Sequence, residues 1–183
     1  LQALGFRFLN KEGEEIGDGG SYLSQITRVD VSQILPQLKT CIIDVATDVK
    51  NPFYGENGAA CIFAPQKGAN QEQVQQLDQG LRSFAQLIQD EMGLDIQSVA
   101  GAGAAGGLGG GCVAFLNAHL ISGIDQVKAC VNFDSIIQDA DLIITGEGKV
   151  DQQTSQGKVV DGIVKSARSY QIPVIVLTGN CME

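Results

Sequence analysis

The stretch Thr145-Gly146-Glu147-Gly148-Lys149-Val150-Asp151, continued by Gln153, Thr154, Gly157 and Lys158, gathers chemically capable side chains within fourteen positions. Carboxylates such as Glu147 and Asp151 can hold a metal ion or take a proton, and a lysine such as Lys158 can neutralise a phosphate. The segment follows the apolar run Asp141-Leu-Ile-Ile-Thr145, which reads as a short buried strand. Gly146 and Gly148 then suggest a tight loop at the carboxyl end of a parallel sheet, where α/β proteins bind ligands. A solvated polar loop is the alternative reading.

A second candidate is the tract Gly101-Ala-Gly103-Ala-Ala-Gly106-Gly107-Leu-Gly-Gly-Gly111. Its letters match GxGxxG, but a dinucleotide fold also wants an acidic residue after a strand about 20 positions on. Asp125 has the distance, yet Ser122-Gly123 surround it with a turn signal. The excess of glycine points instead to a loop or helix start whose amides meet an anion, with close helix packing as the plain alternative. No GxxxxGK followed by Ser or Thr is present, which excludes an ordinary P-loop.

A third cluster runs Asp44-Val-Ala-Thr-Asp48-Val-Lys50-Asn51-Pro52, followed by Gly55, Gly58 and Pro65-Gln66-Lys67-Gly68-Ala69. Asp44 sits in an apolar strand, so it needs a partner or must point outward. Lys67 stands just ahead of a helix capped at Asn70, where a cation and backbone amides together could hold an anion. His119 reads as a packed or surface residue late in an apolar helix. The scattered thiols read as small core residues rather than nucleophiles.

The elements that must position these groups have local signatures. Residues 6–9 read as a strand with a turn at Asn10–Gly13, residues 41–46 as a buried strand, and 94–99 as another short strand. Val74, Leu77, Leu81, Phe84, Leu87 and Ile88 recur at helical spacing between an Asn70/Gln73 capping box and Gly93. Cys112–Leu120, residues 133–139 and residues 156–170 read as helical, and Pro173 opens a strand Val174–Leu177. Strand, loop, helix, strand implies a parallel βαβ unit. The expected fold is a layered α/β domain with that unit at its C-terminal end, residues 1–183 forming one domain.

Composition narrows the function classes. The chain has 183 residues, 44% of them apolar, and a net charge of −9, which disfavours nucleic-acid backbones as partners. Its 23 glycines come with only 4 prolines, so they belong to turns and close approaches rather than to low-complexity disorder. The five cysteines form no CxxC pair and one histidine accompanies them, which suits reduced thiols in a cytoplasmic protein and not a zinc site. No apolar run is long enough to span a membrane. The first residue is Leu1, and the sequence is expected to be an internal piece of a longer protein.

Together the motifs resemble the bacterial glycerate kinase family, the type that phosphorylates D-glycerate at its 2-hydroxyl. The resemblance rests on Leu1-Gln-Ala-Leu-Gly-Phe-Arg-Phe-Leu9, Asp48-Val-Lys-Asn-Pro52 with Gly55 and Gly58-Ala59, Pro65-Gln-Lys-Gly-Ala69, Gly101–Gly109 with Val113-Ala-Phe-Leu116, and Asp139–Gly148 with Asp151, Gln153-Thr154 and Gly157-Lys158. Ala64 stands where the family favours glycine, and Val160-Asp161 replaces a proline-containing pair. The resemblance implies two α/β domains with the active site between them, of which this chain is the middle. It further implies ATP and Mg²⁺ as cofactors and D-glycerate as the small-molecule partner. The catalytic candidates are Asp151, Lys158 and Glu147, with Asp151 and Glu147 as metal ligands. Asp48, Asn51, Gln66, Lys67, Gly101, Gly103, Gly106, Gly107, Gly146, Gly148 and Thr154 are candidates for substrate or nucleotide binding. A homo-oligomer is compatible with the sequence. The alternatives are a non-catalytic α/β domain that binds a small acid or nucleotide and, behind it, an NAD(P)-linked oxidoreductase.

Overall fold

The computed structural model describes residues 1–150 and 159–181. The chain divides into two compact units, Leu1–Leu120 and Ile121–Glu183.

The first unit is organised around one long helix. Strands β1 (Arg7–Leu9) and β2 (Arg28–Asp30) pair antiparallel, with Phe8 opposite Val29. After β3 (Asp44–Ala46) and the short helix α1 (Ala59–Phe63) comes α2, Gln71–Met92. Its start is the capping box that the sequence announces. Asn70 Oδ1 accepts the Gln73 N–H, and Gln73 Oε1 accepts the Asn70 N–H, both at 2.9 Å. Gly93, at φ 70°, ends the helix in the left-handed conformation that glycine adopts without steric cost. The periodic face turns Leu81, Phe84 and Ile88 inward. There Phe6, Phe8, Phe84 and Phe115 form an aromatic cluster with ring centroids 5.4–5.9 Å apart.

Three local expectations change in this unit. The strand expected over 41–46 is only Asp44–Ala46, and it is not buried: Asp44 and Ala46 are exposed, as are Cys41 and Ile42 before it. Residues 94–99 form no strand; Asp95 Oδ1 accepts the N–H groups of Gln97 and Ser98 and starts a 3₁₀ turn over Ile96–Ser98. The helix expected over Cys112–Leu120 is α3, Ala104–Leu116. It stops because Asn117 takes up φ 50° and returns its N–H to the Cys112 carbonyl. His119 therefore opens strand β4 (His119–Ile121), where its N–H donates to the Ile43 carbonyl.

The second unit holds the βαβ motif. Strands β5 (Ile143–Val150) and β6 (Val174–Cys181) run parallel, in register from Ile143 opposite Val174 to Val150 opposite Cys181. Helix α6 (Val159–Ser169) lies between them in sequence and buries Val160 and Ala167. Ile137, Ala167 and Ile172 form the small core, packed by Phe133, Ile143 and Val174. Gly146 and Gly148 do not turn away after Thr145. They continue β5, with Gly146 opposite Leu177 and Glu147 opposite Thr178. Pairing with a long parallel neighbour outweighs the weak strand preference of glycine. Before β5 come α4 (Gly123–Cys130) and α5 (Phe133–Ile137), so Asp125 lies in the first turn of a helix where a turn was expected. Gly162 lets α6 approach α4, since a Cβ there would fall 2.6 Å from Ile124 Cγ1.

No helix among the described residues is long and apolar enough to cross a membrane.

Candidate functional site

Within the first unit, the glycine tract and the Asp48–Gly58 segment meet backbone to backbone. The Gly103 N–H donates to the Asn51 carbonyl at 3.0 Å, and a Cβ at Gly103 would lie 2.2 Å from the Pro52 carbonyl oxygen. Gly101, at φ 89°, sits against the Val49 carbonyl, and Gly107, at φ 100°, sits against the Phe53 ring. These three glycines are buried, whereas Gly106 is exposed. Ala105, Gly106 and Gly107 all have positive φ, so α3 is kinked in its first turns. The amides of Ala102, Gly103, Ala104, Gly107 and Gly110 donate to backbone carbonyls. Gly106, Gly107 and Gly111 line a cavity of about 330 Å³, and Gly106 is the glycine of the tract that also lines a cleft beside Lys67.

Lys67 shares that cleft. It ends the 3₁₀ turn Pro65–Lys67, followed by Gly68 at φ 93°. A cavity of about 170 Å³ is lined by Lys67, Gly106, Gly20, Leu23 and Leu81, among others. A larger neighbour of about 350 Å³ is lined by Lys67, Ser21, Gln73 and Gln76. No carboxylate of the described residues forms an ion pair with Lys67. The amides of Lys67, Gly68, Ala69, Asn70 and Gln73 all donate within the turn and the capping box. On this turn the cation itself, more than the backbone, is the group available to an anion. Gln66, beside it, is exposed.

Asn51 closes the neighbouring turn, its Nδ2 donating to the Asn57 carbonyl at 2.9 Å. Asp48 is exposed and Phe53 is almost wholly buried. Asp44 has both answers open to it: it is exposed, and its Oδ1 lies 3.2 Å from His119 Nδ1. Of the cysteines, Cys61 and Cys112 are partly buried, but Cys41 and Cys130 are exposed, so these two are not core residues. Burial pushes the Cys61 thiol pKa up, away from thiolate reactivity.

In the second unit Glu147 lies on β5, and its Oε2 is buried without a hydrogen-bond partner among the described residues. Gly146 and Gly148 flank it on the same strand. Asp151, Thr154 and Lys158 lie outside the described residues. No group of three or more metal-ligating side chains occurs among the described residues. Mg²⁺ does not need one, since it is commonly held by one or two carboxylates with substrate phosphates and waters. A buried, unpartnered carboxylate oxygen is a fitting hard donor for such an ion.

Sequence reasoning missed Ser21, Gln73 and Gln76 beside Lys67, and it missed Asp78 and Gln97 around the Asn51–Gly58 turn. Ser21, Asp78 and Gln97 act on groups distant in sequence, so no short motif announces them, and Gln73 was legible only as a helix cap.

The fold and these groups define an α/β protein that presents a lysine and an open glycine turn in one unit and, on a parallel strand pair in the other, a carboxylate with one buried oxygen. The chain belongs to the glycerate kinase family, whose sequence profile matches residues 1–183. It is 46% identical over 179 residues to a glycerate kinase of Halalkalibacterium halodurans, covering 98% of this chain and 47% of that protein. It is 44% identical over 183 residues to the glycerate 2-kinase of Escherichia coli K12, covering 100% of this chain and 48% of that protein. A crystal structure from Salmonella typhimurium LT2, described as a glycerate kinase 2, superposes with a TM-score of 0.85 at 42% identity. That match covers 98% of this chain and 48% of the Salmonella chain. The chain spans about half the length of the relatives it matches.

Proposed function

We propose that this chain is part of a cytoplasmic enzyme that phosphorylates D-glycerate with ATP, giving 2-phosphoglycerate. The observation that carries the reading is the match over essentially the whole chain, at 44–46% identity, to proteins named glycerate kinase and glycerate 2-kinase. The cleft beside Lys67 and Gly106 supports it, because phosphoryl transfer to a hydroxy acid requires cations and hydrogen-bond donors for two anionic substrates.

In this reading Lys67 meets the charge of an anionic substrate and Gln66 adds hydrogen-bonding capacity beside it. Asp48, Asn51, Gly101, Gly103, Gly106 and Gly107 shape the backbone that receives the ligand, and Gly146, Gly148 and Thr154 do so along β5 and beyond it. Lys158 neutralises the transferring phosphoryl group. Asp151 and Glu147 divide the carboxylate work, one near the attacking hydroxyl and one toward the metal. Mg²⁺, held by one carboxylate of this pair together with the substrate phosphates, would supply charge neutralisation on those phosphates when bound. Catalysis is then positioning plus charge stabilisation by groups the chain already carries.

The deciding experiment is a coupled ADP-release assay with D-glycerate on the full-length enzyme that carries this chain. Saturable binding of glycerate or ATP without turnover would replace the kinase reading with that of a non-catalytic binding domain. For Lys67, the Met variant of the same enzyme is expected to raise KM for an anionic substrate several-fold at low salt. The increase should shrink at high salt, where free ions screen an exposed cation. An unchanged KM at low salt would leave Lys67 a solvated turn residue.

A further inference from the structure

The Asn51–Gly58 turn is gripped from outside by side chains that belong to none of the sequence motifs. From α2, Asp78 Oδ1 accepts the Gly55 N–H at 2.6 Å. Its Oδ2 accepts the Arg82 Nε–H at 2.7 Å, and the Arg82 guanidinium lies 4.5 Å from the Tyr54 ring centroid. Gln97 makes two bonds to a single residue. Its Oε1 accepts the Tyr54 N–H at 3.0 Å, and its Nε2 donates to the Tyr54 carbonyl at 3.1 Å. Only an amide side chain supplies both a donor and an acceptor in that arrangement. Gln97 is itself fixed, since its N–H donates to Asp95 Oδ1. Asp78 is a recessed carboxylate, its side chain 13% exposed.

The grip reaches the cleft through a continuous set of contacts. Asn51 holds the far side of the same turn through the Asn57 carbonyl, and its own carbonyl takes the Gly103 N–H. Three residues beyond Gly103 stands Gly106, which lines the cavity with Lys67. A shift of the turn is passed to the start of α3, because the Gly103 N–H is bonded to the Asn51 carbonyl and the two backbones run so close that a Cβ added at Gly103 would fall 2.2 Å from the Pro52 oxygen. We infer that Asp78 and Gln97 are positioning residues that fix the Asn51–Gly58 turn and, through the Asn51–Gly103 bond, the glycine wall of the Lys67 cleft. The inference rests on the reading that this cleft serves the kinase reaction. A misplacement of about 1 Å at a site can cost on the order of 10²-fold in rate.

The test uses Asp78→Leu, Asp78→Asn, Gln97→Leu and Gln97→Glu in the full-length enzyme. Asp78→Asn keeps a carbonyl oxygen for the Gly55 N–H, whereas Gln97→Glu keeps the acceptor but sets a carboxylate against the Tyr54 carbonyl. Well below the melting temperature, kcat/KM for glycerate is expected to fall at least tenfold in both Leu variants and in Gln97→Glu, and to recover to within about threefold of wild type in Asp78→Asn. A purely structural role would lower Tm and leave kcat/KM of the folded enzyme unchanged, which would overturn the inference. Should the Leu variants fail to fold, Gln97→Glu with wild-type kcat/KM overturns it alone. Hydrogen exchange gives an answer that needs no activity. In Gln97→Glu, faster exchange is expected at the amides of Gly55–Gly58 and also of Gly103–Gly107, and unchanged exchange at Gly103–Gly107 refutes the coupling. A wild-type enzyme that shows this coupling but does not phosphorylate glycerate would sink the functional reading and leave the mechanical link standing.

Discussion

Asp151→Asn in the full-length enzyme is expected to lower kcat by roughly 10²–10⁴-fold, the span associated with losing a positioned general base. The substitution keeps the size of the side chain and removes its charge and basicity together. Strand β5 runs as far as Val150 and pairs in parallel with β6. Asp151 follows Val150 in sequence and itself lies outside the described residues; the carboxyl ends of parallel strands are where α/β folds receive their ligands. Glu147, whose buried Oε2 has no partner among the described residues, is on the same strand. A polar substitution outside the core typically changes stability by within about 0.5 kcal/mol, so the melting curve should barely move. A folded Asn variant that keeps more than about a tenth of the parental kcat would remove Asp151 from the chemistry, because even the low end of the general-base range would be missing.

The second large effect is on stability. Gly103→Ala should destabilise the first unit by about 3 kcal/mol, the upper end of the overpacking range. The added Cβ would stand 2.2 Å from the Pro52 carbonyl oxygen and 3.0 Å from the Asn51 oxygen. Both obstacles are backbone atoms, so no side-chain rotation relieves them, and the Gly103–Asn51 hydrogen bond would have to lengthen or break. The backbone angle is not the difficulty here, since Gly103 has φ −75°. For a unit of this size the loss corresponds to a fall of roughly 10 °C in Tm. Gly111→Ala in the same helix is the internal control: nothing lies within 4 Å of its Cβ position. It should be neutral or stabilising by up to about 1 kcal/mol, as alanine generally is over glycine within a helix. Equal Tm values for the two variants would show that the contact between the tract and the Asn51–Pro52 backbone is not what Gly103 is for.

How much of this was readable beforehand depended on the reach of each interaction. Helix α2 was legible from its capping box to its terminal Gly93, because its signals lie within one or two turns of the residues they govern. The βαβ order at the C-terminal end was legible from apolar runs alone. The length of β5 was not, since Gly146–Glu147–Gly148 reads locally as a turn and becomes strand only through pairing with Leu177–Gly179. The strand expected at 94–99 failed because a single Asp95 cap outweighed weak β-propensity in a segment with no strand partner among the described residues. The candidate site divides in the same way. Lys67 and the glycine tract could be picked out by residue type, but that Lys67 and Gly106 line one cavity could not. Asp78 and Gln97 read as ordinary polar residues, because the groups they hold, Gly55 and Tyr54, lie 23 and 43 positions away.

The sequence by itself determined the ordered motifs, the α/β class, the helix boundaries that carry their own caps, and the resemblance that family membership bears out. Each of these depends on residue type and on spacings of a few positions, where backbone preference and periodic burial act directly. Tertiary structure decided which glycines are obligatory for packing and which one lines the cleft with Lys67, that β5 runs through Gly146–Gly148, and which side chains hold the Asn51–Gly58 turn. Those outcomes follow from close approach between segments far apart in the chain. At such contacts a difference of one Cβ, or of one hydrogen-bond partner, decides what fits, and linear spacing does not record it.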